Sequence, residues 1–131
     1  MGKLLDRLQD PSRSGVYRVR SDAEVVDALR GSTLALHRIS LAGDKDALLS
    51  RFAKVLQFPE WFGGNWDVLE DLLKEKGEAQ VLLFGGGTPA PELIDVLGSV
   101  AEFWKGEEKP FFAVFVDPQA RLALPELFRQ A

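Results

Sequence analysis

An α/β fold built on a parallel sheet is what this chain predicts, and three observations lead there. Residues 80–84 and 111–116 are apolar almost throughout, the pattern of strands covered on both faces. Segments with helical periodicity fill the gaps between such runs. Strand and helix therefore alternate, which calls for parallel pairing through right-handed crossovers. At 131 residues, 46% of them hydrophobic, the chain has the length of one domain and enough apolar surface to close a core.

The elements follow in order. Residues 16–20 alternate and predict a half-exposed edge strand. Ser21, Asp22, Ala23 and Glu24 form a capping box ahead of the stripe Val25, Val26, Ala28 and Leu29. Three runs look like strands, at residues 33–39, 80–84 and 111–116. Asp44 opens a helix with Leu48, Leu49, Phe52, Val55 and Leu56 on one side. A further helix begins near Asn65, and another near Pro91, carrying Leu93, Val96, Leu97, Val100 and Phe103. The first and last ten residues are expected to be helical additions to one domain spanning 1–131.

The inventory for catalysis is poor. The chain has no cysteine, so disulfides and thiolate metal sites are excluded. His37 is the single histidine and falls inside a predicted strand, where a packed imidazole is the plainer reading. Zinc would need carboxylates at spacings that do not occur. No catalytic residue, metal or cofactor is expected, and the chain is read as a binding protein rather than an enzyme. Gly85, Gly86, Gly87 and Thr88 follow a strand and precede a helix, where phosphate-binding loops occur. They lack the lysine of a P-loop and the dinucleotide spacing, and Pro89 and Pro91 crowd the place where free amides are wanted. A strand-to-helix turn accounts for them. Lys3, Asp6, Arg7 and Asp10 interrupt the leucines of the first ten residues, against a secretory signal. No window approaches the ~20 apolar residues of a membrane span. A soluble cytoplasmic protein is expected.

Net charge is −4, which argues against direct nucleic-acid binding. Its location says more. Residues 58–78 hold six acids and two bases, a net of −4, while the rest of the chain holds 14 of each. Excess charge gathered in one segment points to an electrostatic face. In that segment Pro59, Gly63 and Gly64 make a loop, and Asn65 is a good N-cap for the helix that follows. On a helical wheel Trp66, Val68, Leu69, Leu72 and Leu73 share one face, while Asp67, Glu70, Asp71 and Lys74 share the other. Asp67 and Asp71 stand one turn apart, ~6 Å along the axis. Charge runs are commonly just the solvated side of a helix, and Asp67 suits the helix dipole. Asp71 has less structural reason, because a like-charge pair at this spacing costs ~0.2–0.5 kcal/mol. Trp61 and Phe62 in the loop ahead place aromatics beside clustered carboxylates, the material of an interface hot spot. The residues alone leave both readings open.

That same segment resembles the barstar family of ribonuclease inhibitors. Pro59, Glu60, Trp61, Phe62, Gly63, Asn65, Asp67, Leu69, Asp71 and Leu73 fall on the family pattern, and a weaker likeness runs from about Leu34 to Val116. The resemblance implies a small three-stranded parallel sheet packed by helices over a core of residues 33–117. Residues 1–32 are then an N-terminal extension that adds a strand and helix to the sheet edge, and residues 118–131 a C-terminal extension. The resemblance also implies a protein that plugs the active site of a basic ribonuclease inside its maker. By position it implies that Asp71 takes the place of an RNA phosphate among the enzyme's cationic residues. Asp67 pairs with the same basic groove and Trp61 stacks at its mouth, while Glu70 is a candidate through its place on the same acidic helix face. Gly63 and Asn65 set the loop and the helix start, and Glu102 falls where the family has a further partner-binding glutamate. The chain departs from the pattern at Trp61, where tyrosine is usual, and at Glu70, where the best-known member has tryptophan. A barstar-fold protein that binds a different basic toxin or protein partner is the alternative.

Overall fold

The computed structural model describes residues 8–30, 32, 34–58, 65–76 and 80–127. Among these, four strands form one parallel sheet in the order β1-β4-β3-β2: β1 (Gly15–Val19), β2 (Ala35–Ser40), β3 (Gln80–Gly85) and β4 (Phe111–Val116). β3 and β4 lie inside, which is why their sequences are apolar on both faces. Leu82 and Phe84 join Phe111, Ala113 and Phe115 in one core. Val81, Leu83, Phe112 and Val114 belong to a second core on the opposite face. Register sets Val81 beside Phe112 and Leu83 beside Val114.

The three-stranded sheet expected of the core is therefore four-stranded. The difference is β1, which pairs in parallel with β4 from Gly15 opposite Phe112 to Val19 opposite Val116. It forms one residue earlier than the alternation at 16–20 predicted, and it extends the sheet as expected.

Capping side chains start three of the helices where the sequence placed them. In α1 (Asp22–Ala28), Ser21 Oγ accepts from the Ala23 amide at 3.2 Å. In α2 (Lys45–Leu56), Asp44 accepts from the Ala47 amide at 2.9 Å. In α3 (Trp66–Lys76), Asn65 Oδ1 accepts from the Val68 amide at 2.8 Å. Each satisfies an amide that the helix leaves without an internal partner. α4 (Pro91–Gly106) starts instead with proline at its first position, where no amide is needed.

Helices α2, α3 and α4 supply the first core through Leu49, Phe52, Leu69, Leu73, Leu97 and Trp104. The second core is closed by Val25 of α1 and Leu29 just after it, together with Leu8 and Leu127. Residues before β2 and after β4 thus cover a sheet face that would otherwise meet water. The helix expected at the C-terminal end is not formed over 121–127. Instead the Arg18 amide donates to the Pro125 carbonyl at 2.9 Å and the Leu127 amide to the Arg18 carbonyl at 3.1 Å. This lays the segment along the outer edge of β1. Asp117 turns the chain into it, accepting from the amides of Arg121 at 3.0 Å and Leu122 at 2.8 Å.

Candidate functional site

The acidic segment folds as its periodicity requires. Leu69, Leu72 and Leu73 are buried, while Trp66 and Val68 are half-buried and Asp67 and Asp71 are exposed. The helix start is fixed by the Asn65 cap, and the Leu69 amide donates to the Asn65 carbonyl at 3.1 Å. Asp67 therefore sits in the first turn of α3, where the helix dipole favours a carboxylate. Among the described residues no ion pair includes Asp67 or Asp71. Two carboxylates one turn apart thus face solvent, with no cation paired to either among the described residues.

Glu70 is placed differently. It pairs with Lys74 one turn on, at 2.9 Å, both side chains half-buried. The Lys74 Nζ also stands 5.9 Å from the centroid of the Phe103 ring on α4. Beside Phe103 lies Glu102, exposed and within 3.7 Å of Lys105. The α3 and α4 parts of the candidate surface are thus joined across Lys74 and Phe103. Trp104 fixes the two helices against each other, its Nε1 donating to the Leu73 carbonyl at 2.9 Å. Trp61 and Gly63, the aromatic and glycine of the family pattern, lie outside the described residues.

One side chain departs from its expected place. The periodicity of α4 puts Phe103 on the apolar stripe, yet it is 40% exposed while Trp104 is 7% exposed. The buried stripe of α4 runs through Leu93, Val96, Leu97, Val100, Ala101 and Trp104, and Phe103, ~100° from Trp104, lies at its edge. Trp104, one turn beyond the buried Val100, takes the inner place. The position of Trp104 relative to Leu97 and Val100 was the signal available in the sequence.

The other candidates find structural roles. His37 is half-buried on β2, and its loss of hydration lowers its pKa from 6.5, favouring the neutral ring. The Gly85 carbonyl accepts from the Leu41 amide at 2.7 Å, tying β3 to the connection that follows β2. A side chain at Gly87 would approach the Leu41 carbonyl to 3.1 Å, so the glycine run permits close packing of that connection. An open, mostly apolar depression of about 600 Å³ lies at the ends of β2, β3 and β4. Arg38 in its wall is engaged by Asp22 at 3.7 Å. Among the described residues no helix is long and apolar enough to cross a membrane.

Comparison with curated proteins and with solved structures gives no match. The model of the family described as Barstar (barnase inhibitor) matches residues 33–116. That span runs from just before β2 to the end of β4, and so takes in α2, α3 and α4 with the acidic face. β1 and α1 lie outside it. The match covers well over half of the chain, and the protein is a member of the barstar family.

Proposed function

We propose that this protein binds a basic ribonuclease and blocks its active site with the acidic face of the 58–78 segment. The observation that carries the reading is the pair Asp67 and Asp71, exposed one turn apart on α3 with no cation paired to either among the described residues. A surface of this kind concentrates negative potential and attracts a cationic groove. In this reading Asp71 stands in for an RNA phosphate, and Asp67 pairs with the same groove. Trp61 stacks at its mouth, with Gly63 and Asn65 setting the loop and the helix start. Glu70 and Glu102 border the contact, each already sharing a cation within the chain.

The protein acts in the cytoplasm of the cell that makes the enzyme, and by occlusion rather than catalysis. All 131 residues work as one unit, because the extension contributes a strand to the sheet and a layer to its core. The test is to titrate the protein into barnase and measure RNA cleavage. Stoichiometric loss of cleavage is expected, and undiminished cleavage at saturating protein would refute the reading.

A further inference from the structure

We infer that Phe103 is the apolar anchor of this docking face, which therefore runs from α3 onto α4 and takes a basic ribonuclease offering an apolar recess beside its cations. The inference rests on the reading above and adds the part of the contact that salt does not screen.

Among the described residues Phe103 is the one large apolar side chain left exposed, at 40%. The ring is nevertheless held. It meets Trp104 edge to face, with centroids 5.0 Å apart and planes at 81°. Lys74 stands over it at 5.9 Å from the centroid, a favourable contact for an ammonium on a ring face. Trp104 is itself fixed by its hydrogen bond to Leu73. An aromatic ordered before the partner arrives loses little rotamer freedom on binding, so more of its burial appears as affinity.

The surrounding charges identify the partner's chemistry. Lys74 is matched by Glu70 at 2.9 Å and Lys105 by Glu102 at 3.7 Å. Lys74, the cation over the ring, and Lys105, two residues along α4, are therefore both offset within the chain. Among the described side chains, the charges on α3 that no ion pair includes are Asp67, Asp71 and Glu75, and all are negative. An apolar centre, ion pairs around it and carboxylates to one side is the anatomy of a hot spot, in which near-neutral surroundings keep water from the anchor. A partner that fits presents cations to α3 and an uncharged recess to α4.

The test uses the full chain and barnase as the probe. Binding is measured at low and at high salt for wild type, Phe103→Ala, Phe103→Leu and Asp71→Ala, with a melting curve for each. Phe103→Ala is expected to weaken binding about tenfold or more at both salt concentrations, while Phe103→Leu, which keeps apolar bulk, stays within about threefold. Asp71→Ala is expected to lose most at low salt, where charge is least screened. Phe103→Gln keeps the packed stem and is read in place of the alanine variant if that one unfolds, with the same loss expected. Wild-type binding with Phe103→Ala and Phe103→Gln unaffected would overturn the anchor and leave the acidic face standing. Failure of wild type itself to bind would overturn the ribonuclease reading, and the anchor with it.

Discussion

Leu82 and Leu83 are neighbours on β3, 0% and 3% exposed, and they face different cores. Leu82 belongs with α2, α3 and α4, Leu83 with α1, Leu8 and Leu127. Replacing each by alanine in turn compares the two layers within one strand. Truncating a buried leucine costs about 2–5 kcal/mol, comprising lost transfer energy and the cavity left behind. Because both sites are closed to water, both variants are expected to fall in that range. Equilibrium urea unfolding is the assay. For a loss of about 3 kcal/mol and an m-value of about 2 kcal/mol/M, each midpoint should drop by about 1.5 M. The family match begins at residue 33, so the second layer comes from outside the matched segment. A large drop for Leu82→Ala with almost none for Leu83→Ala would show that face to be open. The packing of residues 8–30 and 127 described above would then be wrong.

Two further outcomes follow from the charges. Association with a basic ribonuclease should slow steeply as salt rises, since the screening length shrinks from ~8 Å at physiological strength to ~3 Å at 1 M; stopped-flow rates that stay flat would count against an acidic docking face. Burial pushes the Asp117 carboxyl up, but the amides of Leu122 and Arg121 and the charges of Arg18 and Arg121 outweigh it and hold its pKa below 3.8. A folded value below the unfolded one stabilises the protein above the unfolded pKa, and that contribution is lost as pH falls from about 3.8 through the lowered value. Asp117→Asn should therefore lower stability at neutral pH and flatten the acid limb of the melting-temperature profile, whereas an unchanged limb would exclude Asp117 as the group responsible.

Much of the site was readable because it is local. The Asn65 cap, the buried Leu69, Leu72 and Leu73, and the outward Asp67 and Asp71 all follow from period and turn chemistry within about ten residues. The pairing of Glu70 with Lys74 is likewise a one-turn contact. The continuous apolar runs of β3 and β4 also declared two covered faces correctly. They could not say what does the covering. That depends on β1 choosing β4, some hundred positions along the chain, and on Glu126 bridging back to Arg18. Nothing in the spacing of either segment encodes such a choice. The exchange of Phe103 and Trp104 was legible by contrast, since Trp104 stands one turn beyond Val100 on the buried stripe, while its hydrogen bond to the Leu73 carbonyl on another helix was not.

Inhibition by Asp71→Ala, measured beside its melting temperature, tests the acidic-face reading most directly. On the folded protein the change removes one member of a like-charge pair, so stability should hold or rise by ~0.2–0.5 kcal/mol. In the complex it leaves the enzyme's cations buried and unmatched, a loss on the order of 3–5 kcal/mol. Inhibition should fall by more than about a hundredfold with the melting temperature kept. Inhibition that survives intact, or that fails only because the variant has unfolded, would contradict the role given to Asp71.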